Sequence, residues 1–263
     1  MNKYSQLLSI SWQNGMVYRA SIYIWRLRHL LSSFFALTIW SVLFRNTQSA
    51  FGYSESEMMA YIFLTSIIQS LVLSTSLNGL TNAIYSGEIS ILLTKPIGLF
   101  KALATQEIAD KSKNFGFVLV ESLILFAIFL PTFPPIQLTT AIVGFIWICG
   151  GLLLNFTILL LFGAIGFWSP DSWGPRFLFI MLSSLLGGKM FPLDVLPQFV
   201  QNVVWLTPFP FLSYAQAQLL LSKLTSIEII IGFVGLVFWI GMLSVLVRII
   251  WSVGLKEYVA AGQ

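Results

Sequence analysis

Five small polar residues, Ser66, Ser70, Ser74, Asn78 and Asn82, recur every four positions inside an apolar stretch. On one helix they make a single slowly drifting ridge, with Gln69 at its edge. Lipid does not solvate such a stripe. It therefore faces either a neighbouring helix, as hydrogen-bonded packing, or a water-accessible transport path. Glu121 is the carboxylate that falls well inside an apolar run. In hydrocarbon it needs a partner or a cavity. A buried hydrogen bond to another helix is favoured over a proton relay, because no second acid or histidine falls inside a span to receive a proton. His29, beside Arg28 at the start of an apolar run, reads as a structural interfacial residue.

Familiar catalytic constellations are missing. The sequence has no G-x-S-x-G elbow, no H-E-x-x-H and no paired metal-binding carboxylates. It also lacks the phosphate-binding G-x-x-x-x-G-K-[ST] loop, so no catalytic, cofactor or metal residues are assigned and the chain is not expected to be an enzyme. One cysteine and one histidine cannot supply the usual zinc ligand sets, and Cys149 has no partner for an internal disulfide. No basic run is long enough to track nucleic-acid phosphates, so nucleic acid is not an expected partner.

These residues are carried by an exceptionally apolar chain. Hydrophobic types make up 57% of 263 residues and charged types only 9%, against about 25% in soluble domains; mean hydropathy is +0.87. So few charges cannot dress a water-exposed surface, whereas lipid removes the need. The fold class expected is an all-α integral membrane protein, a single transmembrane domain over residues 1–263. An imperfectly amphipathic stretch at 4–28 predicts an interfacial helix, whose Arg19, Arg26 and Arg28 snorkel to headgroups. Its mixed polar and aromatic residues do not resemble a cleavable leader. Six spans follow at 30–45, 58–84, 114–131, 136–168, 176–191 and 227–251. Prolines at 192, 197, 208 and 210 divide residues 192–222 into apolar pieces of about a dozen residues, which suit a re-entrant region better than a span.

Lysine and arginine positions give the orientation. Of fourteen such residues, only Arg45, Lys189 and Lys223 fall on the side opposite the termini. The excess on the other side predicts cytoplasmic termini and a cytoplasmic 86–113 segment. Within that segment Gly87 permits a tight turn, Glu88 and Lys95 are charged, Ile89, Leu92 and Leu93 recur at helical spacing, and Pro96 ends the run. A short amphipathic helix over 86–97 is predicted; a solvated linker would not need its apolar cluster.

The stretch Y-S-G-E-I-S-I-L-L-T-K-P-I (Tyr85–Ile97) resembles the segment between spans two and three of type-2 ABC exporter permeases. The stretches F-P-L-D-V-L-P (Phe191–Pro197) and L-T-P-F-P-F-L-S-Y (Leu206–Tyr214) match the same family before its last span. The resemblance covers essentially the whole chain and favours the six-span branch without a large extracellular domain. It implies a permease in a bacterial cytoplasmic membrane, working as a dimer with a second copy or a paralogous permease. Separate ABC ATPase subunits would bind ATP and Mg. Gly87, Glu88, Ile89, Leu92, Leu93 and Pro96 would form the coupling helix seated in the ATPase. The cargo implied is an amphiphilic drug, lipid or glycan-type substrate moved outward. The rival reading is a secondary transporter or channel driven by an ion gradient, which predicts paired intramembrane ionisable groups. A membrane-embedded enzyme is a third reading, for which the sequence offers no nucleophile–base pair.

Overall fold

The structure is a computed structural model that describes residues 3–17, 19–47, 49–75 and 77–258, with the Arg19 side chain outside the description. Helices α1 (Lys3–Val17) and α2 (Arg19–Phe44) come first. A two-residue turn at Phe51–Gly52, both with positive φ, joins short antiparallel strands β1 (Ser49–Ala50) and β2 (Tyr53–Ser54). Helices α3 (Glu55–Leu73), α4 (Leu80–Tyr85), α5 (Ser90–Leu93), α6 (Leu99–Phe129) and α7 (Leu138–Ala164) follow. The chain closes with α8 (Trp173–Leu186), α9 (Gln198–Trp205), α10 (Tyr214–Leu220) and α11 (Ser226–Glu257).

Local chemistry sets several of these ends. Ser54 and Glu57 form a capping box that starts α3, and Thr225 with Glu228 does the same for α11. At the end of α6, Leu130 turns left-handed (φ 44°) just before Pro131. Without a hydrophobic driving force between helices in lipid, association depends on close packing. Helices α7 and α11 achieve it with glycines: Trp147 lies over Gly232 and Leu236 over Gly150.

Among the described residues five helices are long and apolar enough to cross a membrane, namely Ala20–Phe44, Glu55–Leu73, Leu99–Phe129, Leu138–Phe167 and Ser226–Glu257. The chain is a multi-pass, all-α membrane protein with an interfacial helix, α1, at its start. The expected count of six spans is not reached by helices of that length. The fifth expected span, 176–191, is met only by the 14-residue α8, which starts earlier, at Trp173, and ends at Leu186; it is about 21 Å long against a hydrocarbon core of about 30 Å.

Two further boundaries differ from the sequence reading. The expected interfacial helix at 4–28 takes in α1 and the beginning of α2, and α2 runs on from Arg19 into the first span without stopping at residue 28. Nothing between Trp25 and Leu30 breaks a helix, so the basic residues there do not mark its end. The second expected span, 58–84, is likewise two helices: α3 stops at Leu73, Ser74 is extended (ψ 140°), and α4 resumes at Leu80.

The main core joins α2, α3, α7 and α10 around Met58, Ile62, Trp147, Phe211 and Leu219. A second core forms at the other end from Ile84, Ile89, Leu103, Leu160 and Trp251.

Candidate functional site: a coupling surface and intramembrane polar clusters

The segment predicted as a helix over 86–97 holds only one regular turn, Ser90–Leu93. Gly87 takes φ +87°, a conformation that costs glycine nothing. Ser90 Oγ donates to its carbonyl at 2.6 Å, and Ile89 N–H reaches back to the Ala83 carbonyl at 3.0 Å. The helix stops ahead of Pro96, whose ring disfavours helical backbone at Lys95.

The apolar residues of this segment do not form one face, which corrects the expected cluster. Ile89 is 1% exposed and belongs to the second core, and Leu92 packs partly against it. Leu93 (42% exposed) and Ile91 (59%) point outward beside exposed Glu88, Lys95 and Pro96. The sequence reading overlooked Ile91. Its signal was the i, i+3 spacing from Glu88, which places it on the face opposite Ile89. Of the six residues expected to grip a motor, Gly87 and Ile89 are therefore internal supports.

The ridge expected along span two is broken by the stop at Leu73. Ser66 and Ser70 are buried within α3. Ser74 lies beyond its end, while Asn78 and Asn82 are exposed around α4. Distant cations hold the break. Lys111, on α6, donates to the carbonyls of Leu71 (2.9 Å), Val72 (2.8 Å) and Ser74, and lies 3.4 Å from Glu107. Thr75 Oγ1 completes the cluster by donating to Glu107 at 2.8 Å. From α8, Arg176 donates to the carbonyls of Leu77 (3.3 Å) and Asn78. A helix C-terminus leaves four carbonyls without intrahelical partners, and cations are suited to meet them. Gly79, the N-cap of α4, was the local signal available in the sequence, and the four-residue ridge running through it concealed the break.

Glu121 has a charged partner. Its carboxylate lies 3.6 Å from the guanidinium of Arg26, a residue only 8% exposed and expected instead to snorkel. Arg26 also donates to Ser70 Oγ at 2.8 Å and to Asn114 Oδ1, while Asn114 donates to Asp110 at 2.7 Å. Lys113 lies 3.3 Å from Asp110. Thus α2, α3 and α6 share one charge-compensated network, as burial of an arginine in a dry bundle requires.

A third cluster closes the opposite end. Tyr53 donates to Asp194 at 2.6 Å; Gln218 donates to Tyr53 Oη at 2.8 Å and to Tyr214 Oη at 3.1 Å. Burial and the Asp194 carboxylate push the Tyr53 phenol far above its ordinary range. Lys223 sits 3.6 Å from the centre of the Tyr53 ring and 3.0 Å from Glu57. Within residues 192–222, α10 is buried against α3 and α7. Gln69 ties α3 to the Ser183 carbonyl of α8 at 3.0 Å.

The family described as ABC-2 family transporter protein matches residues 30–262. The chain belongs to that family. Comparison with curated proteins finds no match. As an ABC-2 permease the chain is a membrane subunit of a transporter, and permeases of this family generally partner with ABC ATPase subunits. Among the described residues no three His, Cys, Asp or Glu side chains come together in a way that could hold a metal ion.

Proposed function

We propose that this permease is the membrane half of an ATP-driven exporter whose motor grips residues 88–96 from the cytoplasm. One observation carries the reading: the segment has two faces. Ile89 and Leu92 root it in a core shared with α4, α6, α7 and α11, while Glu88, Ile91, Leu93 and Pro96 stand exposed. Displacement of the outer face would act through Ile89 and Ile84 on α4, and from there on the cation-clamped break that ends α3. ATP and its Mg belong to the partner subunit. Two permeases, identical or paralogous, enclose the path, beside α2, α3 and α8. Ser66 and Ser70 are the part of the ridge positioned for a path between those helices. An amphiphilic drug, lipid or glycan-type cargo leaves toward the Tyr53–Asp194 end. Both termini are cytoplasmic in this reading, and the membrane is a bacterial cytoplasmic membrane.

The test is co-purification with the candidate ATPase. Ile91→Glu with Leu93→Glu places two charges on the outer face and is expected to abolish both complex formation and stimulated ATP turnover. The folding of this variant should match wild type, because neither residue is in the core. Normal assembly and normal turnover in that double variant would refute the coupling role.

A further inference from the structure

The ion pair leaves Glu121 only partly satisfied. Arg26 approaches one carboxylate oxygen at 3.6 Å, beyond hydrogen-bond reach. Its N–H groups go instead to Ser70 Oγ and Asn114 Oδ1. The other oxygen of Glu121, Oε1, is buried with no hydrogen-bond partner, and Ser66 Oγ on α3 is in the same condition. The two atoms are therefore not bonded to each other. Ser66 is only 2% exposed, and inside a membrane bundle a polar atom left unpaired is costly.

Both residues line one cavity of about 10 Å³ between α2, α3 and α6. Ser33, Ser66, Ser70 and Glu121 supply its polar groups, and Val118 and Leu125 form part of its apolar wall. That volume holds about one water-sized group, and cavities that stay dry are apolar, unlike this one. The lining also defines what the occupant must do. An ionised carboxylate only accepts, so the occupant must donate to Glu121 Oε1. Ser70 Oγ already accepts an Arg26 N–H at 2.8 Å, which leaves its own proton to donate. Ser66 Oγ can do either. An oxygen that both donates and accepts satisfies all three. An ammonium has nothing to accept with, and an anion has nothing to give Glu121.

We propose that this cavity binds a single hydroxyl group, which donates to Glu121 Oε1 and shares a hydrogen bond with Ser66 Oγ. It adds a subsite beside the Ser66 and Ser70 part of the proposed path without depending on that path. The hydroxyl comes from water or from an amphiphile entering past Ser122, a half-buried lining residue next to exposed Leu123 and Ile124. The sign of one substitution decides whether the site is filled, measured on the full chain in phosphatidylcholine nanodiscs. With an empty cavity, Ser66→Ala removes a buried hydroxyl that has no partner and raises the unfolding midpoint. With a hydroxyl bound, the same change removes a hydrogen bond and lowers the midpoint by about 1–4 °C; this is the expected result. Octanol and its isomer heptyl methyl ether, which has no donor, separate the two sources. A midpoint raised further by the alcohol than by the ether, in wild type but not in Ser66→Ala, identifies an amphiphile; an equal response identifies water. A density map of the same nanodiscs that resolves waters should place an oxygen within hydrogen-bond reach of both Glu121 Oε1 and Ser66 Oγ. A Ser66→Ala protein at least as stable as wild type, or a map with the cavity empty, would overturn the assignment. No ATPase enters these measurements, so failure here leaves the coupling reading standing, and the reverse also holds.

Discussion

Replacing Lys111 by methionine tests whether cations hold the break between α3 and α4. Methionine keeps the bulk of the side chain but removes the ammonium that meets the carbonyls of Leu71, Val72 and Ser74. Interhelical hydrogen bonds in membranes average about 0.6 kcal/mol each, so three contribute about 2 kcal/mol. The larger loss is the partner left behind, because Glu107 keeps only 6% of its side chain exposed. Stranding one member of a buried ion pair costs about 3–5 kcal/mol. For a chain of this size each kcal/mol moves the unfolding midpoint by about 2–4 °C, so Lys111→Met should lower it by about 10 °C or more in mild detergent. Adding Glu107→Gln should recover most of that, leaving about the 2 kcal/mol of the lost carbonyl bonds. A single variant as stable as wild type, or a double variant no better than the single, would show that the cation does not hold the break.

Two further outcomes follow from the same bonds. Arg26→Gln leaves Glu121 without its cation and removes the donors to Ser70 and Asn114; it should cost about 3–5 kcal/mol, and Arg26→Gln with Glu121→Gln should be clearly more stable than the single variant in thermal unfolding. Gly188→Ala forces a side chain onto a positive φ beside Tyr61. It should cost well over about 1 kcal/mol, read as a lowered unfolding midpoint, whereas Gly79→Ala, where no atom lies near an added Cβ, should be close to neutral.

The all-helical membrane architecture was legible because mean hydropathy and scarce charge leave no other fold class. The location of the short turn of helix between α4 and α6 was legible too, through Gly87 and Pro96. Which way its residues face was not, since Ile89, Ile91, Leu92 and Leu93 are all apolar and only contact with Leu103 and Trp251 separates inner from outer. The broken α3 was hidden for a different reason. Ser66 to Asn82 keep a perfect four-residue period, but the groups that end the helix, Lys111 and Arg176, lie far away in sequence. Arg26 misled because a basic residue near an apolar run reads as a membrane edge. Its compensating acid, Glu121, lies on another helix. Charge position along a sequence reports topology only where partners do not intervene.

The central claim, that a separate motor grips an exposed cytoplasmic turn, is tested most directly by labelling Leu93→Cys in a Cys149→Ser background. A membrane-impermeant maleimide should modify the introduced thiol in inside-out vesicles but not in right-side-out ones, and addition of the ATPase subunit should protect it. Labelling from the outer side, or labelling that the bound ATPase does not slow, would contradict the account.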